Sequence, residues 1–446
     1  MNNFSVDFSK VLGPIKPMHG VNNGPLFHSE TKTVVHRFIE AGIPNVRLHD
    51  TVEADIPRIF TNFDADPTDP ASYDFRHVDA YVNEIYKGGA DLCFRLGTTI
   101  EHRKTKDFIH PPKDYDKWAE VCCAIIRHFT KGWANGYHYD VPFWEIWNEP
   151  DNNPATPGMW TGTPEQYYRL YVTATKRIKA EFPEAKVGGF ASCFVENKDF
   201  REGFFQYITK ENAPLDFYSW HGYASKVTTL AESSAIVQEC LDRYGFGDVK
   251  QYCNEWNFIL DDPDFWPKYN DAVKPGSEKD RKAFHELQAS SFGASFVEST
   301  FICMQNTKIA GSNYYAAPPV SVWSGMFDRY GIVTPVFYAF KAYNVLYRLS
   351  GGQVETTADK DNIQILAAVG DNEGAVLISN HNQEDTICAV EMNNLFENTK
   401  RHVEVYLVDN DNELALVKKE FYTGEKTVQY IDVKKNSIVL IKVIKD

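Results

Sequence analysis

Residues 143–150 read Phe-Trp-Glu-Ile-Trp-Asn-Glu-Pro, and residues 186–192 read Lys-Val-Gly-Gly-Phe-Ala-Ser. Each is a short apolar run closed by polar or small residues, the pattern of a buried strand. Between them lies a helix signature over 163–182. Thr163 and Gln166 form a capping box, Pro164 takes the first helical position, and Tyr167, Leu170, Tyr171, Ala174, Ile178 and Phe182 recur at helical spacing. Outward from this strand–helix–strand unit the pattern repeats. Further strand-like runs are HGVNN (19–23), NVRLHD (45–50), DLCFRLG (91–97), DFYSWHGYA (216–224), VKQYCNEWN (249–257) and IAGSNYYAA (309–317). The stretches between them are amphipathic, as in 230–244, where Leu230, Val237, Leu241 and Tyr244 lie on one side. Regular alternation of strand and helix predicts a parallel sheet. Eight such units predict closure into a (β/α)8 barrel, because closure removes both sheet edges. A doubly wound open sheet is the alternative, and the lack of GxGxxG after the first strand weighs against its dinucleotide-binding form.

After residue 350 the texture changes. Gly351 and Gly352 mark a break, and short alternating runs follow: NIQILAAV, GAVLISN, ICAVEM, RHVEVYLV and SIVLIKVI, separated by Asp, Asn and Gly turns. This predicts an antiparallel β-sandwich. The expected division is an α/β barrel over 16–350 and the sandwich over 351–446, with the 1–15 segment, through Phe4-Ser5-Val6-Asp7-Phe8, adding a strand to the sandwich.

The totals agree with a large folded chain. Of 446 residues, 43% are hydrophobic and 24% charged, enough to build a core and too apolar for wholesale disorder. Aromatics reach 14%, which suits either a large core or a cleft lined with rings for flat sugar faces. A net charge of −15 argues against nucleic acid and anionic membranes as partners. No run approaches the roughly 20 apolar residues of a membrane span, and the first residues show no secretory signal. The eight cysteines, Cys93, Cys122, Cys123, Cys193, Cys240, Cys253, Cys303 and Cys388, form no zinc-type or CxxC spacing. Several sit in apolar runs and read as buried free thiols, consistent with a reducing, cytoplasmic setting.

In such barrels the working residues stand at the C-terminal ends of the strands. The fourth strand ends Trp147-Asn148-Glu149-Pro150 and the seventh ends Asn254-Glu255-Trp256, so both glutamates face one mouth. Simple alternation also puts Glu145, Trp147 and Glu149 on one face, and Cys253, Glu255 and Asn257 on another. A single glutamate at a strand end is more often structural than catalytic. Two at one mouth are what glycosidic cleavage requires: one neutral, to protonate the leaving oxygen, and one ionised. A separation of roughly 5–5.5 Å would make the enzyme retaining and about 6.5–9.5 Å inverting. That distance is not readable from sequence.

The ordered set HGVNNGP (19–25), NVRLHD (45–50), FWEIWNEPDN (143–152), WHGYA (220–224), NEWN (254–257) and YGIVTPVFYAFKAYNVL (330–346) resembles glycoside hydrolase family 39, which contains β-xylosidases and α-L-iduronidases. The resemblance spans nearly the whole chain. It implies Glu149 as general acid/base and Glu255 as nucleophile. Asn148 would bind the sugar 2-hydroxyl, His49, His221 and Tyr223 would line the same subsite, and Tyr223 would donate its phenol to Glu255. Arg47 would stabilise ionised Glu255, with pairing to Glu145 inside the barrel as its other reading. Trp323 would be either a stacking platform or lid packing. Two departures bear on the substrate. Asp50 stands where the family's Arg-x-His-Gly has glycine, and 321–328 (SVWSGMFD) keeps only a Trp, a Phe and one acid of the usual segment after strand eight. The insertion 261–280 is expected to wall the mouth, with Phe265 and Trp266 available to stack on substrate.

The expected activity is therefore a retaining exo-glycosidase acting on a glycoside or oligosaccharide, with a β-xyloside first and an α-L-arabinopyranoside or β-galactoside as alternatives. A transglycosylase shares the residues, and a noncatalytic sugar-binding protein would have no need for both glutamates. An iduronidase is disfavoured because a uronate needs cationic partners that these motifs do not offer. No metal or organic cofactor is expected, and a homo-oligomer whose partner chain walls the cleft stays open.

Overall fold

A computed structural model describes residues 1–27, 32–99, 106–152, 158–269, 278–319, 323, 325–396, 399–423 and 427–446. Eight parallel strands close into a barrel in chain order: Gly20–Asn22, Asn45–Leu48, Asp91–Leu96, Phe143–Ile146, Val187–Ser192, Phe217–Ala224, Lys250–Phe258 and Ile309–Tyr314. They are referred to below as barrel strands one to eight; each falls within one of the runs quoted above, except that strand seven runs one residue further, to Phe258. The helix between strands four and five runs Pro164–Glu181. Its capping box is formed, with Thr163 N donating to Gln166 Oε1 at 2.8 Å and Gln166 N to Thr163 Oγ1 at 3.3 Å.

Leu26–Phe27 and Lys32–Thr33 pair as a small two-stranded sheet, and nine further strands form a second large sheet in the order Glu413–Tyr422, Arg401–Val408, Ser437–Lys445, Glu373–Asn380, Gln364–Val369, Gly352–Ala358, Asn2–Gly13, Thr386–Asn393, Thr427–Val433. Its two end strands are brought back together, since Lys418 Nζ donates to Gln429 Oε1 at 3.0 Å and Gln429 Nε2 to the Tyr422 hydroxyl at 2.5 Å. The folded-over sheet encloses a core that includes Phe4, Val6, Val376, Ile378, Val403, Val439 and Ile441. One pairing departs from the antiparallel rule: Asn2–Gly13 runs parallel to Thr386–Asn393. The two strands are far apart in the chain, so no hairpin fixes their relative direction.

The central strands of this sheet are not the half-buried, alternating strands that their runs suggested. Val376 and Ile378 face the sandwich core, whereas their neighbours Ala375 and Leu377 belong to the barrel core. Val439 and Ile441 divide from Ile438 and Leu440 in the same way. Both faces are buried because helices Ser291–Gln305 and Pro335–Tyr347 of the barrel lie against the sheet. Continuous apolar runs are what a sheet covered on both sides requires. Leu377 is fully buried at this junction. Leu377→Ala should lower stability by about 2–5 kcal/mol, read from urea or thermal unfolding.

Candidate active site

The interior of the barrel is organised around Arg47 on strand two, whose side chain has no solvent exposure. Its Nε donates to Glu145 Oε2 at 2.7 Å, Nη1 to Glu255 Oε2 at 2.9 Å and to Asn22 Oδ1 at 3.1 Å, and Nη2 to Asn148 Oδ1 at 2.6 Å. Arg47 thus makes both contacts between which its sequence context left a choice. Glu145, equally buried, also accepts from Ser219 Oγ at 2.6 Å and from Asn254 Nδ2 at 2.5 Å. Burial works against the guanidinium charge, but Glu145 and Glu255 outweigh it and push the Arg47 pKa up.

Two backbone irregularities aim the glutamates. Strand four ends at Ile146, and Trp147 and Glu149 then adopt left-handed φ of 73° and 45°. Such conformations cost on the order of 1–3 kcal/mol each for non-glycine residues and persist only where the surroundings dictate them. Here Glu149 N is held by Ala191 O at 3.1 Å and the Trp147 indole by Met159 O at 2.9 Å. The turn breaks the alternation assumed for Glu145, Trp147 and Glu149. Trp147 packs outward against Trp118 and Trp160, with ring centroids 6.3 and 5.2 Å away. On strand seven the register with strand six shifts between Cys253 and Glu255. This bulge turns Asn254 and Glu255 both toward the barrel interior. Asn254 is a site residue that strict alternation hides; its sequence signal is the Asn-Glu pair that strand seven shares with the turn after strand four.

The two carboxylates converge. One oxygen of Glu149, one of Glu255 and one ring nitrogen of His221 all lie within 4.8 Å of one another. His221 Nδ1 is 2.6 Å from Glu149 Oε1 and 3.7 Å from Glu255 Oε2. The second oxygen of Glu149 accepts from Asn152 Nδ2 at 2.8 Å, a contact that the sequence motifs did not suggest. Tyr223 donates its hydroxyl to Glu255 Oε1 at 2.8 Å, and His49 Nε2 stands 3.8 Å from Glu255 Oε2.

The environments of the acids differ. Burial raises Glu255 and the charge of Glu149 adds to it, with His221, Arg47 and Tyr223 opposing; the net shift is upward. Burial also raises Glu149, but the bond from His221 and the amide of Asn152 overturn this and the net shift is downward. Burial lowers His221, and Glu255 and Glu149 more than restore it. His49 is driven well below its ordinary value by burial and by Arg47 and Arg95, so it is neutral. Among the described residues, Glu149, His221 and Glu255 are the one group of His, Cys, Asp and Glu side chains close enough to share a metal ion. The guanidinium 2.9 Å from Glu255 makes the place unfavourable for a second cation.

Beside Tyr223, Trp323 is mostly buried. Its ring lies 5.8 Å from Phe284 and from Trp266 and 5.5 Å from Tyr223, and its carbonyl accepts from Asn257 Nδ2 at 2.9 Å. Positions 320–322 and 324 of that loop, and 270–277 of the insertion, lie outside the described residues. Phe265 is 1% exposed against Phe284, so it is core and cannot stack on a ligand. Trp266 is 40% exposed and stands edge-on to Tyr223 at 5.2 Å. Asp50 accepts the Tyr315 hydroxyl at 2.6 Å.

Residues 27–410 match the sequence profile of glycosyl hydrolases family 39. The chain belongs to glycosyl hydrolase family 39. It is a glycoside hydrolase, as the motifs at the ends of strands four and seven implied. It is similar to a β-xylosidase of Caldicellulosiruptor saccharolyticus, 26% identical over 372 residues that cover 77% of this chain and 70% of that protein. A β-xylosidase of Geobacillus stearothermophilus is 32% identical over 196 residues, 42% of this chain and 37% of its own. The fold is shared with a crystal structure of a glucosidase from Croceicoccus marinus, at a TM-score of 0.83 and 22% identity over 100% of this chain and 99% of that one. It is also shared with a monomeric β-xylosidase from Caulobacter crescentus CB15, at a TM-score of 0.71 and 17% identity over 99% of each.

Replacing the central cation isolates its contribution. Arg47→Met leaves Glu145 buried without its counter-charge and should cost about 3–5 kcal/mol in unfolding experiments. Unchanged stability would mean that Ser219 and Asn254 alone satisfy Glu145.

Proposed function

We infer that this family 39 enzyme is a retaining exo-β-xylosidase, with Glu255 as nucleophile and Glu149 as acid/base. The observation that carries the reading is the approach of the two carboxylates, whose nearest oxygens lie within 4.8 Å. That is close to the roughly 5–5.5 Å of retaining enzymes and short of the about 6.5–9.5 Å at which an inverting enzyme admits a water between its base and the sugar.

In the first step a Glu255 oxygen bonds to the anomeric carbon as the bond to the leaving oxygen breaks, and Glu149 delivers a proton to that oxygen. In the second, Glu149 takes a proton from water, the water oxygen bonds to the anomeric carbon, and Glu255 departs as carboxylate. Arg47 and Tyr223 hold Glu255 in its attacking rotamer and stabilise its charge. Asn148, whose Oδ1 is held by Arg47, binds the sugar 2-hydroxyl on this reading, and His49 lines the same subsite. His221 and Glu149 share the proton across 2.6 Å, so the pair acts as the acid. Trp323 and Trp266 wall the sugar pocket beside Tyr223.

The sugar assignment rests on the curated relatives named as β-xylosidases. In the described residues no helix is long and apolar enough to cross a membrane, and all eight cysteines are free thiols, which favours a reducing cytoplasm.

A panel of nitrophenyl glycosides tests the assignment. The β-xyloside should be cleaved fastest, and a preference for another sugar would overturn the substrate. Glu149→Gln should slow phenyl glycosides about 10²–10⁴-fold, and Glu255→Gln should abolish turnover; activity surviving both changes would overturn the site. A 2-deoxy-2-fluoro glycoside with an activated leaving group should label Glu255 covalently, whereas a label elsewhere would reassign the nucleophile.

The pH profile of kcat/KM tests the proton path. Protonation of Glu255 should set the acid limb, above the ordinary carboxylate range because its pKa is raised. Loss of the proton shared by Glu149 and the raised His221 should set the alkaline limb. His221→Asn should move the alkaline limb to lower pH, since only a carboxylate then holds the proton. An unmoved limb would remove His221 from the path.

A further inference from the structure

Two residues past Glu149 the chain carries Asp151, a buried carboxylate with no part in the chemistry described above. Its oxygens take donors from three consecutive residues: Ser192 Oγ at 2.8 Å, Cys193 N at 2.9 Å and Phe194 N at 3.4 Å. Its carbonyl takes a fourth, Asn197 Nδ2 at 3.5 Å. All four belong to the end of barrel strand five and the loop that follows. One carboxylate therefore staples the turn after strand four to the loop after strand five.

Glu149 lies inside that staple. Its own N–H donates to Ala191 O at 3.1 Å, one residue before the first of Asp151's donors. The thiol of the clamped Cys193 faces the Glu149 carboxylate and helps to hold its pKa down. With φ of 45°, Glu149 occupies a backbone conformation that relaxes unless its neighbours hold it. The position is costly for Asp151 itself, whose pKa is pushed up to about 6 by burial, with the nearby charge of Glu149 adding to the effect. A carboxylate kept where water cannot solvate it, satisfied by two backbone amides and a hydroxyl, is arranged to fix geometry.

We propose that Asp151 is a positioning residue for the proton donor: it clamps the loop after strand five onto the turn that carries Glu149, and so aims Glu149 at the leaving oxygen. The proposal rests on the reading of Glu149 as acid/base. Asp151 reaches its effect through Glu149, Ser192 and Cys193 and needs no contact with substrate.

This role has a signature that a general packing role lacks. A dinitrophenolate leaves without a proton, whereas a phenolate with an ordinary pKa needs one. Misaiming the acid therefore slows the second class and spares the first. The experiment measures kcat/KM for aryl glycosides of the sugar that the panel selects, from dinitrophenyl to phenyl. The variants are Asp151→Ala and the milder Ser192→Ala, which removes one donor and leaves the carboxylate in place. For Asp151→Ala the phenyl glycoside should lose about 10-fold or more while the dinitrophenyl glycoside changes little. Ser192→Ala should show the same selectivity at smaller amplitude, and it carries the test if Asp151→Ala does not fold. A uniform loss across the series, or none, overturns the proposal. Glu149→Gln in the same series separates the two readings: it should be the most selective of the three variants, and if it shows no dependence on the leaving group the acid/base assignment itself fails.

Discussion

A guanidinium with no access to water must find its partners within the fold, and Arg47 finds them at the centre of the barrel. From strand two it reaches Asn22 on strand one, Glu145 and Asn148 at strand four, and Glu255 on strand seven. Glu145 passes the connection on to Ser219 of strand six and Asn254 of strand seven. The interior of an eight-stranded barrel is just wide enough to be filled with side chains. Apolar filling would serve stability as well or better, because a buried ion pair rarely repays its desolvation. The polar filling holds five strands in one register and carries Glu255 with them.

That arrangement makes the two acids unlike each other. Glu255 faces a cation that never titrates and a phenol that donates to it. Glu149 faces an imidazole, a group whose ordinary pKa lies within the physiological range. On the proposed reading, Arg47 and Tyr223 favour the ionised form of Glu255 against the burial that raises its pKa, and the imidazole beside Glu149 suits a proton exchanged during the reaction. Different surroundings give different tasks to two residues of the same type.

The local geometry at the mouth is unfavourable by itself. Trp147 and Glu149 hold left-handed φ, and the bulge on strand seven breaks the pairing ladder at Asn254. These costs are met by the packing beneath, including a sandwich sheet buried on one face by its own core and on the other by barrel helices. The sandwich thus packs directly onto the barrel through the helices Ser291–Gln305 and Pro335–Tyr347.

Much of this was legible in the chain. The eight strands, the capping box at Thr163 and Gln166, and the placing of Glu149 and Glu255 at the ends of strands four and seven all follow from periodicity and end signals. Such signals act over a few residues and survive in the bare sequence. Alternation failed where the backbone stops being a regular strand. Trp147 turns outward and Asn254 inward, because a positive φ and a bulge each shift the two-residue period. Phe265 was offered to substrate and is core, because the residues that cover it, Phe284 and Trp323, come from other parts of the chain. Arg47 and Glu255 are 208 residues apart in sequence, and Asp50 and Tyr315 are 265 apart. The sequence by itself determined which side chains stand at the mouth. Only barrel closure decided their distances, and with them which carboxylate shares a proton and which faces a fixed charge.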